Sequence, residues 1–235
     1  TATGARPLAI TDCMNYGSPD KPIIMGQFVE SIKGMREACE ILKFPVVSGN
    51  VSFYNETNGE AIHPSPVIGA IGVIDNIHKM VTIGLKLSGN LLIVIGKSEG
   101  HLGASLYLRD IAGQEVGPPP AIDLPSEKRN GDFVREQINK GRVSSCHDVS
   151  DGGILVAIAE MALASDSCAE KAIGAEIYFD DKLTLHAAAF GEDQGRYVLE
   201  APLIAAKEIL AAAKDSGIPA SQIGHCAGTA LTINE

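Results

Sequence analysis

A mixed α/β or α+β fold in two unequal parts follows from three features of the sequence. These are a helix-period stretch at 23–42 set between strand-like runs, a fully apolar run at 91–95, and alternating helix and strand patterns after it. In the first part, Leu8-Ala9-Ile10-Thr11 reads as a strand. Ile24, Phe28, Ile32, Met35, Cys39 and Leu42 recur at steps of three or four, which predicts an amphipathic helix of about five turns. Pro45-Val46-Val47 is strand-like, Ser48-Gly49-Asn50 has the composition of a tight polar turn, and Val51-Ser52-Phe53-Tyr54 resumes the strand. Asn58-Gly59 is a hairpin signal, and 66–74 is a further strand. Residues 1–84 thus hold too few elements to close a core of their own.

The second part, 85–235, opens on Leu91-Leu92-Ile93-Val94-Ile95. Helices are predicted at 103–111, 126–140, 152–164 and 202–216, and strands at 142–147, 173–179, 195–200 and around 222–232. Gly113 to Pro125, with Pro118-Pro119-Pro120, reads as a loop inside this module, because the pattern on both sides belongs to it.

Composition narrows the function classes. The chain has 235 residues, 45% hydrophobic and 20% charged, as in soluble globular proteins. A net charge of −10, with no basic run longer than Lys128-Arg129, argues against a nucleic-acid or anionic-membrane surface. No apolar run is long enough to span a bilayer, and the first residues lack a signal-peptide pattern. The five cysteines, Cys13, Cys39, Cys146, Cys168 and Cys226, form no C-x-x-C pair and read as reduced, mostly buried thiols in a cytoplasmic protein. The chain starts at Thr1 rather than Met, and Thr1 to Arg6 reads like the end of an earlier element, so a fragment is expected.

Familiar motifs fail on spacing. Gly96-Lys97-Ser98 ends like a phosphate-binding loop, but six residues separate Gly96 from Gly89 where that motif has four. No His-x-x-x-His or Gly-x-Gly-x-x-Gly occurs.

Four polar clusters at strand ends remain. In Thr11 to Gly17, Asp12 and Asn15 can organise a turn, or Asp12 can accept from a ribose hydroxyl, a nucleobase amine or a metal-bound water. In Ser48 to Ser52, Gly49 admits a ligand close to the main chain and Asn50 offers a neutral oxygen to a hard cation, with Ser52 on the same side in an extended backbone; a strand bulge has the same composition. Cys146-His147-Asp148-Val149-Ser150-Asp151-Gly152-Gly153 precedes a helix, where Ser150 or Asp151 can cap and the Gly152 and Gly153 amides can face an anion. Gly191-Glu192-Asp193-Gln194-Gly195-Arg196 can bind a sugar or phosphate, or form a salt-bridged turn.

Taken in order, ITDCMNYGSPDKP, PVVSGNVSFYNET with PSPVIGAIGVI, GHLGAS, CHDVSDGG and GEDQGRYVL resemble the second half of the synthetase subunit in the phosphoribosylformylglycinamidine synthase family. The wider superfamily, with aminoimidazole ribonucleotide synthetase and selenophosphate synthetase, is expected to share the architecture. The resemblance implies an N-terminal-type, ATP-binding domain at 1–84, lacking its opening strands and most of its first helix, and a C-terminal-type domain at 85–235. It implies an ATP- and Mg²⁺-dependent ligase of purine biosynthesis that converts formylglycinamide ribonucleotide and ammonia to the amidine, working with a glutaminase subunit and a small accessory subunit. By motif, Asp12 and Gly49 would contact ATP, Asn50 would ligate Mg²⁺ and Ser52 would contact the substrate. The family's catalytic histidines lie in a first half, so no catalytic residue is expected here and the chain is expected to be inactive alone. Glu192 and Gln194 would lie in a segment that corresponds by pseudo-symmetry to a Glu-Ser-Gln-type substrate-binding segment of the first half, with Asp193 as its changed middle residue, and Asp151, Gly152 and Gly153 would serve structure alone or an auxiliary nucleotide. The alternatives are another ligase of the superfamily and a non-catalytic nucleotide-binding assembly module.

Overall fold

The computed structural model describes residues 1–167 and 172–234, so Cys168 lies outside the described residues. The chain divides into two compact units, Arg6–Ile74, and Thr1–Ala5 with Asp75–Glu235. Residues 75–84 thus join the larger unit, because Val81 is buried in one of its apolar clusters and the Leu85 amide donates to the Met161 carbonyl at 3.0 Å.

In the smaller unit, β1 (Arg6–Asn15) is the central strand, parallel to β2 (Val46–Ser52) and antiparallel to β5 (Ser65–Val73). Helix α1 (Pro22–Leu42) starts with proline, whose missing N–H would have no partner in a first turn, and ends at Lys43 in the left-handed region. Its Ile24 and Phe28 pack with Met14, Tyr16 and Phe53; the Tyr16 and Phe28 rings meet edge to face at 5.2 Å. Asn58 and Gly59 have φ of 53° and 84°, the two positive values of a tight hairpin turn, and join β3 (Glu56–Thr57) to β4 (Glu60–Ala61). The predicted turn at 48–50 is absent. β2 runs straight through Ser48-Gly49-Asn50, and the irregularity falls one residue earlier, where Ile10 faces Val46 but Thr11 faces Ser48, leaving Val47 as the extra residue.

The larger unit is built on a six-stranded sheet. Its order is β11 (Leu231–Ile233), β8 (Ala175–Ile177), β10 (Ala220–Cys226), β6 (Leu91–Ile95), β9 (Tyr197–Ala201) and β7 (Ser145–Asp148). All neighbours are antiparallel except β11 and β8. Alternation along β6 sends Ile93 and Ile95 into a cluster with Phe133, Val134 and Ile138 of α2 (Leu124–Asn139) and Ile209 of α5 (Leu203–Asp215). It sends Leu92 and Val94 into a second cluster with Ile154, Ile158 and Met161 of α3 (Gly153–Leu163). A strand covered on both faces needs no polar alternation, which is why this run is apolar throughout.

Three elements differ from the sequence reading. The helix expected at 103–111 is only a π-helical turn at Tyr107–Ile111, because Ala104 has a φ of 54° and its amide donates to the Val116 carbonyl at 2.9 Å. The strand expected around 222–232 is split in two by Gly228 at φ 57°. A short helix, α4 (Leu185–Phe190), has no counterpart in the reading. On β9, next to the edge strand β7, Glu200 is fully buried: its carboxylate accepts from the Leu87 amide at 3.0 Å, the Asn90 side chain at 2.8 Å and the Ser145 hydroxyl at 2.7 Å.

Candidate functional site

The smaller unit brings the first two clusters onto adjacent strands. Asp12 of β1 faces Gly49 of β2, Cys13 faces Asn50, and Asn15 faces Ser52. A methyl group on Gly49 would lie 2.4 Å from Asp12 Oδ1, so the carboxylate rests over the bare glycine and position 49 has no room for a side chain. Strand alternation then separates the predicted residues. Asp12 and Gly49 share the face that carries Met14 and its α1 partners, whereas Asn50 and Ser52 share the opposite face with Cys13 and Asn15. Ser52 exchanges hydrogen bonds with Asn55, whose Nδ2 also donates to the Tyr16 carbonyl at 3.0 Å. Among the described residues, nothing donates to the Asp12 carboxylate or the Asn50 side-chain oxygen. Asp12 is half-buried on the central strand β1, and Gly49 and Asn50 are exposed on the edge strand β2.

In the larger unit the polar clusters are engaged within the protein. The α3 helix has Gly152 as its N-cap, at φ 78°, with no side-chain cap. The cap expected from Ser150 or Asp151 is not made: Ser150 donates to Asp148 at 3.0 Å, and the left-handed glycine turns its amide to Glu192 Oε1 at 2.8 Å. The same oxygen accepts from the Leu106 amide at 2.9 Å. Asp193 accepts from three successive amides, those of Glu99, Gly100 and His101, at 3.0, 2.9 and 3.2 Å. Behind it the buried Arg196 guanidinium donates to the Asp193 carbonyl at 3.0 Å, the Ser98 hydroxyl at 3.0 Å and the Gly191 carbonyl at 2.6 Å. The Gly153 amide donates to the Ser150 carbonyl, and a side chain there would strike the Gly191 carbonyl at 2.6 Å.

His147 is likewise bound inside the unit. Its Nδ1 lies 3.5 Å from Asp148 Oδ1 and its Nε2 2.8 Å from Glu160 Oε2. The Asp148 and Glu160 carboxylates hold its pKa above the ordinary histidine value, and the imidazolium holds Asp148 below the usual carboxylate range. Burial pushes the Cys146 and Cys226 thiols up, away from thiolate chemistry. A cleft of about 630 Å³ opens beside the GEDQG segment, with Lys97, His101, Asp123, Arg129 and Gln194 on its walls. Gln194 is exposed at this cleft while Glu192 is turned into the protein, so the two predicted auxiliary residues do not act on one surface. Among the described residues no group of three or more His, Cys, Asp or Glu side chains is placed to hold a metal, and no helix is long and apolar enough to cross a membrane.

Residues 88–232 match the family described as AIR synthase related protein, C-terminal domain, and residues 1–74 match its N-terminal domain. This chain belongs to the AIR synthase related protein family. Within it, the phosphoribosylformylglycinamidine synthase subunit PurL of Parvibaculum lavamentivorans is 54% identical over 236 residues, covering 100% of this chain and 31% of that relative. The subunit of the same name from Rhodospirillum rubrum is 51% identical over 238 residues, with the same coverage. The chain therefore spans about 31% of the length of these relatives. Two solved structures share the fold. Thermotoga maritima PurL complexed with FGAR superimposes with a TM-score of 0.75 at 19% identity, over 99% of this chain and 38% of that one. Escherichia coli HypE, a hydrogenase maturation protein, gives 0.72 at 21%, over 100% and 72%. The family's mixed α/β architecture, with its N- and C-terminal domains, is the one expected from the sequence motifs.

Proposed function

We propose that this chain is part of an ATP-dependent synthetase that converts formylglycinamide ribonucleotide and ammonia, drawn from glutamine, to formylglycinamidine ribonucleotide, ADP and phosphate. The supporting observation is the 54% identity, along the whole chain, to a protein that bears the name of that enzyme's subunit. The chemistry explains the need for ATP. An amide oxygen is a poor leaving group, so it first attacks the γ-phosphorus of ATP and ADP leaves with the electron pair of the broken P–O bond; ammonia then adds to the carbon, the C–O bond breaks with its electron pair leaving on phosphate, and the added nitrogen loses a proton. Such transfers are accelerated mostly by positioning and charge neutralisation.

In this reading Asp12 and Gly49 contact the nucleotide, the absent side chain at 49 making room for the Asp12 carboxylate that would accept from a ribose hydroxyl or nucleobase amine. Asn50 supplies one neutral oxygen to Mg²⁺, which suits an ion that fills its other positions with phosphates and water. Mg²⁺ would neutralise phosphate charge when bound. Ser52 would contact the substrate from the face it shares with Asn50, its hydroxyl exchanging Asn55 for the substrate. No residue of this chain is assigned as acid or base. The partners are a glutaminase subunit, a small accessory subunit and the remainder of the synthetase, in the cytoplasm.

The test is ATP- and ammonium-dependent amidine formation by a full-length protein containing this sequence, with Asn50→Ala and Asp12→Asn beside it. The expected result is a fall in kcat/KM for ATP of about tenfold or more, the scale of a lost charge-assisted contact, with unfolding midpoints unchanged. Wild-type kinetics in both variants would reject the site. ATP binding without turnover in the parent protein would favour the assembly-module reading.

A further inference from the structure

The Glu192-Asp193 dipeptide fills two separate amide cradles. One is the α3 amino end, where the Gly152 amide meets the Leu106 amide of a distant segment on a single carboxylate oxygen, at 2.8 and 2.9 Å. The other is the concavity formed by the successive amides of Glu99, Gly100 and His101, with Gly100 at φ 76°, closed on Asp193. Both are the backbone arrangements that proteins use for anions. Gly152 is buried, and its amide is already taken up by Glu192. The Gly153 amide donates to the Ser150 carbonyl at 3.2 Å.

We propose that Glu192 and Asp193 are built-in anions that close these cradles, Glu192 excluding phosphate-bearing ligands from the glycine-rich start of α3 and Asp193 excluding them from the 99–101 concavity. The sequence Ser150-Asp151-Gly152-Gly153 is therefore not an auxiliary nucleotide site in this chain. The inference stands on the carboxylate contacts alone and does not depend on which reaction the complete protein performs.

Emptying a cradle tests it. In the 235-residue chain, Glu192→Ala should lower the thermal midpoint, and millimolar formate or inorganic phosphate should restore it, while neither anion shifts the wild type. Hydrogen exchange at the Leu106 and Gly152 amides should accelerate about tenfold or more in the variant, the scale of a lost hydrogen bond to a charged acceptor, and slow again when either anion is added. Glu192→Gln, which keeps the shape and removes the charge, covers the case in which the alanine variant does not fold. It should show faster exchange at the same two amides without anion rescue. A folded Glu192→Ala chain that ignores both anions would overturn the proposal. So would wild-type exchange rates in Glu192→Gln, or phosphate slowing those amides in the wild type.

Discussion

In the larger unit the carboxylates of Glu192, Asp193 and Glu200 each accept two or more hydrogen bonds from the protein, whereas in the smaller unit the Asp12 carboxylate and the Asn50 oxygen accept none among the described residues. The larger unit covers both faces of its sheet with helices, so a polar group inside it must be satisfied locally or destabilise the fold. The smaller unit has a three-stranded sheet whose β5 is exposed along its length. Asp12 and Asn50 there keep water, or a ligand, as partner, while Glu56 of the same unit accepts from the Ser18 amide at 2.9 Å and Lys21 Nζ at 2.8 Å. The same residue types thus serve architecture in one region and remain available for recognition in the other.

The largest effect should come from Glu200. Replacing it with alanine strands the Leu87 amide, the Asn90 side chain and the Ser145 hydroxyl in the interior, and urea unfolding should show a loss of about 3 kcal/mol or more. A loss below about 1 kcal/mol would remove the contrast between the units. Next, Ile158→Ala on α3 should cost about 2–5 kcal/mol, while Ile71→Ala on β5, 62% exposed, should stay within about 0.5 kcal/mol. Equal costs would mean that β5 is covered in solution.

Gly49→Ala sharpens the comparison at the proposed nucleotide site. The new methyl group must displace the Asp12 carboxylate, at a cost of about 1–3 kcal/mol. Adding Asp12→Gly should recover most of that loss, and a double-mutant cycle without coupling would show that the two positions do not touch. The smallest effect is that of His147→Gln. Because the folded-state pKa is raised, the stabilising contribution is complete below the ordinary value near 6.5 and is lost as pH rises through the higher folded value. The variant should therefore be less stable than wild type at pH 5.5 and close to it at pH 9; a pH-independent difference would assign the effect to packing.

Much of the fold was legible because it rests on local periodicity. The predicted helix at 23–42 is α1, the apolar run at 91–95 is β6, and Asn58-Gly59 makes its hairpin. The failures share one cause. Ser48-Gly49-Asn50 has turn chemistry but lies in a strand, because Gly49 answers to Asp12, 37 positions earlier in the chain. The 103–111 segment has helical spacing but is held open by the Val116 carbonyl. Asp193, read as a change of residue in a binding segment, instead organises the 99–101 main chain, and no local pattern near 193 announces those amides.

By itself the sequence determined the family, most of the strands and helices, and the candidate residues, since motif order and hydrophobic period are properties of neighbours along the chain. Only the tertiary structure decided which polar residues are free. Whether a carboxylate meets an amide, a glycine or open water depends on segments brought together from far apart, and that pairing separates Asp12 and Asn50 from Glu192, Asp193 and Glu200.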